Sequence, residues 1–186
     1  MKFRIIAFAG LAITTIAACS NTATEKEITQ QSESATAAQV TEEANNQPQA
    51  NTSLTMLPTF KITAMDGSTV NMADMKGKKV FVNLWATWCP PCRAEIPSIE
   101  NLQRKVARQK VAFVMLSLDE NFDLARNFAN KNKMQLPVYY PAEGLPSMFN
   151  TDGIPATFIF NEKGELIKAN NGMDDYDTDK YVQMLK

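Results

Sequence analysis

The 186 residues suffice for one medium domain, or a small domain with appendages, and exclude two full-size catalytic domains, since domains cluster at about 100 to 150 residues. Apolar residues at 45% and charged residues at 21% are ordinary globular usage, which excludes a wholly disordered or fibrous chain. Lys plus Arg total 19 against 20 Asp plus Glu, so nucleic acid is not an expected partner, and the absence of His removes Ser-His and Cys-His catalytic pairs and imidazole metal sites.

Lys2 and Arg4 precede an apolar run from Ile5 to Ile16, and Ala17-Ala18 then lead into Cys19. Charge, apolar run and small residues in that order make a secretory signal over residues 1–18. The run is shorter than the roughly 20 apolar residues of a membrane-spanning helix, so cleavage is expected. Ile16-Ala17-Ala18-Cys19 resembles the bacterial lipobox. That resemblance implies that Cys19 becomes the lipidated first residue of the mature protein and ties it to the bilayer; a soluble secreted protein cut near Ala18 is the other reading. Ser20 stands where some Gram-negative sorting rules place Asp, which leans toward the outer membrane. Residues 19–53 are rich in Ser, Thr, Ala, Gln, Asn and Glu and bury too little to offset ordering, so they read as a linker reaching about 30 Å.

A folded domain is expected over 54–186. Thr59 to Met65 and Ser68 to Met72 flank Asp66-Gly67, a hairpin signal. Lys79 to Trp85 and Val111 to Leu118 are nearly unbroken apolar segments of strand length, suited to a sheet covered on both faces. Between them Ile96, Ile99, Leu102 and Val106 recur at helical spacing and predict a helix from Pro91 to Arg108, hence a parallel βαβ unit. Phe122, Ala125 and Ala129 outline a second helix, and Leu136 to Tyr140 a short strand or extended segment. Thr157 to Phe160 and Glu165 to Ala169 form another hairpin, and Thr178 is placed to cap a last helix carrying Tyr181, Val182 and Leu185. The fold class is α/β with a central mixed sheet.

Cys89-Pro90-Pro91-Cys92 sits where the strand ending at Trp85 passes into the first helix, the context that makes C-x-x-C a redox motif. Residues three apart at a helix start are close enough for a disulfide, which needs Cα atoms roughly 4.4 to 6.8 Å apart. At a helix N-terminus Cys89 meets free N–H groups and partial positive charge, which favour the thiolate and make it the attacking sulfur. Pro90 and Pro91 lack N–H groups, so the nearest amides are those of Cys92 and Arg93, which limits thiolate stabilisation and keeps the couple less oxidising. A zinc site is disfavoured, because two thiols without His fall short of four ligands; no metal is assigned. A structural staple closing so small a loop would stabilise little, and Cu(I) held by two thiolates is the alternative of another class.

Trp85-Ala86-Thr87-Trp88-Cys89-Pro90-Pro91-Cys92-Arg93-Ala94-Glu95-Ile96-Pro97 resembles the active-site segment of the TlpA/ResA-like thioredoxin-fold proteins, extracytoplasmic thiol-disulfide oxidoreductases, and Gly153-Ile154-Pro155-Ala156-Thr157-Phe158 matches that layout too. The resemblance covers 54–186 and implies a thioredoxin-like fold with an N-terminal hairpin extension. It implies Cys89 as nucleophile, Cys92 as resolving thiol, and Pro155 as the residue after a cis peptide bond that sets Ile154 beside Cys89. Trp88, Pro90, Ile154 and Pro155 then face substrate. Glu95 matches an acidic residue that assists proton transfer; on its position alone an ordinary first-turn Glu complementing the helix dipole is equally open. Asn83 replaces the buried Asp of ordinary thioredoxins, leaving Glu95 or water to accept a proton. The implied partners are disulfide-bearing proteins and a membrane electron donor, with the Cys89-Cys92 disulfide as the redox group, no other cofactor, and a monomer in the cell envelope. Reduction during cytochrome c maturation or envelope redox homeostasis is the implied role; a DsbA-like oxidase is the opposite direction.

Overall fold

In the computed structural model the described residues are 55–186, so the predicted signal, Cys19 and the linker lie outside them. Strands β1 (Lys61–Ala64) and β2 (Thr69–Asn71) form the expected antiparallel hairpin, with Ile62 opposite Val70. Gly67 takes φ +87° in its turn, where its N–H donates to the Ala64 carbonyl at 2.9 Å. Met72–Met75 is a 3-10 turn instead of a continuation of β2, capped by the Asn71 side chain, which accepts from the Ala73 N–H at 3.0 Å.

Strand β3 (Lys79–Trp85), helix α1 (Pro90–Lys105) and strand β4 (Val111–Ser117) make the βαβ unit, with the strands parallel from Lys79↔Val111 to Trp85↔Ser117. Helix α1 begins one residue before the predicted start and ends three residues early. Val106, the C-cap, still buries its side chain and its N–H still donates to the Leu102 carbonyl at 3.0 Å, so the apolar periodicity runs to the residue that closes the helix. Helix α2 (Phe122–Lys131) is capped by the Asn121 side chain and leads to β5 (Val138–Pro141), which lies parallel to β4 and antiparallel to β1. A 3-10 turn at Ser147–Phe149 precedes the hairpin of β6 (Ala156–Phe160) and β7 (Leu166–Asn171), and the described chain closes with α3 (Asp179–Leu185). Thr178 stands at the cap position of α3, but its hydroxyl makes no capping hydrogen bond.

The sheet order is β2-β1-β5-β4-β3-β6-β7. Strand pleating sends alternate residues to opposite faces. Phe81, Trp85, Phe113, Met115 and Ile159 pack with apolar residues of α1, α2 and α3, while Val80, Val82, Leu84, Val114 and Phe158 pack beneath Leu57, Phe60, Met72 and Phe149. One face is thus helical, and the other is covered by the entering chain and the two 3-10 turns. β6 runs antiparallel to β3, pairing Phe160 with Val80 and Ala156 with Leu84, so the β6–β7 turn and Cys89 lie at opposite ends of the sheet. Seven residues of β3 separate those ends by about 20 Å.

A Cβ at Gly67 would meet nothing within 4 Å, so replacing this residue costs conformation alone. Gly67→Ala is expected to lower unfolding free energy by about 1 kcal/mol in urea titration, and Gly67→Asn by less, because Asn tolerates positive φ better.

Candidate active site

Cys89 joins β3 to α1 in an extended conformation, and the helix starts at Pro90 with prolines in its first two positions. Neither has an N–H to satisfy, and their fixed φ suits a helix start. The first free amide is that of Cys92, which donates to Cys89 Sγ at 3.2 Å. The sulfur therefore takes the place of the Ser or Asp oxygen that usually caps a helix. The Arg93 N–H turns instead to the Cys89 carbonyl at 3.2 Å, so one of the two amides expected near the sulfur serves it. Cys89 and Cys92 are joined in a disulfide with Cα atoms 5.3 Å apart. Cys92 is fully buried whereas Cys89 keeps 3% of its surface, so Cys89 is the more accessible of the pair.

The Ile154-Pro155 peptide bond is cis, and the Ile154 carbonyl oxygen lies 3.7 Å from Cys89 Sγ. Once reduced, the Cys89 thiol can donate to that oxygen. Trp88 is 63% exposed and, with Leu118, Leu145, Phe149 and Ile154, lines a hollow of 470 Å³. Trp85 is core, packed on Phe128 with ring centroids 5.5 Å apart. Pro90 is exposed at the head of α1.

The turn that presents Cys89 is fastened by Asp119, a buried residue that sequence reasoning missed. Its Oδ1 accepts from the Thr87 hydroxyl at 2.6 Å and from the Thr87 N–H at 3.1 Å, and its Oδ2 accepts from the Ser117 hydroxyl at 2.8 Å. These bonds tie the connection after β3 to the end of β4.

Behind the disulfide stands Glu95, one turn after Cys92 on α1 and only 2% exposed. It lies beyond the first turn and inside the protein, which removes the reading of a surface Glu complementing the helix dipole. Asn83 Nδ2 donates to Glu95 Oε1 at 2.7 Å and to Thr157 Oγ1 at 2.9 Å, and the Asp174 N–H donates to Glu95 Oε2 at 3.2 Å. Burial pushes the Glu95 carboxyl up to about 7, against the lowering effect of the Asn83 and Asp174 hydrogen bonds. Asn83 thus supplies a donor to the buried acid in place of the acceptor an Asp would be, and its own Oδ1 is buried without a partner among the described residues. The Tyr176 hydroxyl donates to Thr157 Oγ1 at 2.7 Å and is itself held in its neutral form by burial. Thr157, Asp174 and Tyr176 also escaped sequence reasoning. Thr157 alone carried a signal, as the polar residue within the buried strand β6 opposite Asn83 in register.

A family profile described as Redoxin matches residues 49–185. Thioredoxin-like protein YneN of Bacillus subtilis (strain 168) is 36% identical over 110 residues, covering 58% of this chain and 64% of that protein. Thiol-disulfide oxidoreductase ResA of Bacillus anthracis is 30% identical over 112 residues, covering 60% of this chain and 65% of its own length. The chain therefore spans just under two-thirds of the length of these curated relatives. Among solved structures, a thiol:disulfide interchange protein of the thioredoxin family from Chlorobium tepidum TLS aligns with a TM-score of 0.60 and 28% identity, over 73% of this chain and 99% of that one.

Glu95 links pH to stability with a definite sign. Its folded value of about 7 lies above the ordinary 4.5, so between these the folded chain holds a proton that the unfolded chain has lost. The contribution is complete below the unfolded value and is lost as pH rises through the folded one, at about 1.4 kcal/mol per unit of displacement. Glu95→Gln is expected to remove this slope: its stability relative to the parent, from urea titrations between pH 4 and pH 9, should climb across the window from 4.5 to about 7 and level off above.

Proposed function

The chain belongs to the Redoxin family as a ResA-like member of the thioredoxin fold, and from that membership we propose that it is a thiol-disulfide oxidoreductase working through Cys89 and Cys92. The observation that carries this reading is the Cys89 sulfur, capped by the Cys92 amide and closed onto Cys92 in front of a buried carboxyl. In the reduced protein the Cys89 thiolate attacks a substrate disulfide, forming one S–S bond and releasing one substrate thiolate, which takes a proton from solvent. Cys92 then loses its proton and attacks Cys89 Sγ, and the second substrate thiolate leaves. Two electrons have passed to the substrate, and the Cys89-Cys92 disulfide remains. Glu95, with a carboxyl that titrates near 7, receives the Cys92 proton at neutral pH. A dithiol donor resets the pair.

An extended substrate lies along the Ile154 backbone, with Trp88, Pro90 and Pro155 against it. The location is extracytoplasmic and the anchor is a lipid on Cys19, a residue outside those described; no helix among the described residues is long and apolar enough to cross a membrane. The chain acts as a monomer. The electron donor is a membrane protein, and the direction is reduction of envelope disulfides, including those that must be opened for cytochrome c maturation, a reading that rests on the resemblance of the Trp85–Pro97 segment to the TlpA/ResA-like proteins.

Reduction of insulin by dithiothreitol, followed by turbidity, tests the activity. The parent should accelerate precipitation and Cys89→Ser should abolish the acceleration. Cys92→Ser should accumulate a mixed disulfide between Cys89 and substrate, visible by mass spectrometry. Full acceleration by Cys89→Ser would contradict the assignment.

A further inference from the structure

The near balance of acidic and basic residues conceals an uneven distribution over the domain. The amino ends of β3 and β4 meet the β6–β7 turn at the end remote from the disulfide: the Gly77 N–H reaches the Glu162 carbonyl at 2.9 Å and the Lys79 N–H the Lys110 carbonyl at 2.9 Å. These turns and the end of α3 enclose a hollow of 340 Å³ lined by Lys79, Arg108, Lys110 and Lys186, with Glu162 the acidic residue among its walls. Lys76, Lys78 and Lys163 are exposed on the flanking turns. Lys79 meets Glu162 at 3.7 Å, while Arg108 and Lys110 take part in none of the ion pairs among the described residues. A Cβ at Gly77 would meet nothing within 4 Å, so this side is open to a ligand. At the opposite end Glu120, Asp123, Glu143, Asp152 and Asp175 are exposed, with Lys61, Arg93 and Arg126 as the counter-charges, while Asp66 and Asp74 are exposed on turns that flank the basic end.

A second observation concerns where the chain enters. The Leu57 N–H donates to the Gly164 carbonyl at 2.7 Å and the Thr55 carbonyl accepts from the Leu166 N–H at 2.8 Å, which fixes the entry point beside the β6–β7 turn. Entry point and basic hollow therefore share one end, about 20 Å of strand away from the reactive disulfide.

We propose that this hollow binds the phosphate-bearing head groups of anionic phospholipids and holds the domain against the bilayer with its disulfide turned outward. Clustered Lys and Arg gain free energy within a Debye length of an anionic surface, about 8 Å at physiological salt, and the acidic end is repelled by it. The outward orientation rests on the proposed Cys19 anchor; head-group binding does not.

The test uses the full-length chain with phosphatidylglycerol-containing and pure phosphatidylcholine vesicles, acetic anhydride as a neutral amine reagent, and peptide mass spectrometry. Lys78, Lys110 and Lys163 should be acetylated at least about threefold more slowly on the anionic vesicles. Protection should vanish at salt high enough to bring the screening length to about 3 Å. The double variant R108E/K110E should lose protection at Lys78 and Lys163 while still reducing insulin, and Lys61, beside Glu143 at the disulfide end, should label equally throughout. Equal rates on the two vesicles would overturn the proposal. So would equal protection by inorganic phosphate, which marks a small-anion site, or protection by polyglutamate without protection by vesicles, which marks an acidic protein partner. Flotation with phosphatidylcholine vesicles reports the anchor separately: a Cys19→Ser chain that no longer floats there but keeps anionic protection supports the head-group site, and an anchored parent without protection defeats it.

Discussion

The N–H of Cys92 is the one helix amide that donates to the sulfur of Cys89, because the two prolines between them have none to offer. Pro90 and Pro91 open α1 without amides of their own, so the first donor of the helix is the one placed three residues after the sulfur. A Ser or Asp cap in that place would merely end a strand-to-helix turn. A sulfur there is an acceptor whose charged form is favoured by the same N–H and by the helix dipole. The Asp119 bonds to Thr87 hold the presenting turn, and the Ile154 carbonyl lies 3.7 Å from its sulfur.

The second constraint is a buried acid with no cation beside it among the described residues. Glu95 is satisfied by Asn83 and by the Asp174 amide, neutral donors that offset only part of the cost of burial, so the carboxyl stays protonated to near neutrality. Cys92 and Glu95 are thus a deeply buried thiol and acid on one helix face, one turn apart. The more accessible sulfur and the buried carboxyl belong to different layers of the site, and both are set by where α1 begins.

Much of this was legible in the residues. Unbroken apolar segments located β3 and β4, helical spacing located α1, and the Cys pair at their junction located the chemistry. Asn83 stood out as a polar residue in an apolar strand, but its partners come from Thr157 and Glu95, separated from it by 74 and 12 positions, and strand register brings the former opposite it. Asp119, Asp174 and Tyr176 lie in or beside connections whose paths depend on the packed fold, so no local pattern marks them. The short β5 was ambiguous because its pairing with β1 and β4 defines it more than its own composition does. Near-neutral totals of charge likewise hid the basic end, since composition carries no information about position.

Peptide-resolved alkylation of the reduced full-length chain with iodoacetamide, followed from pH 4 to pH 10, addresses the capped sulfur most directly. The pH at which Cys89 reacts at half its maximal rate should fall clearly below the about 8.5 of an unperturbed thiol, with Cys92 at least about tenfold slower at pH 7. A Cys89 profile centred at or above that ordinary value, or a Cys92 that reacts as readily as Cys89, would contradict the account.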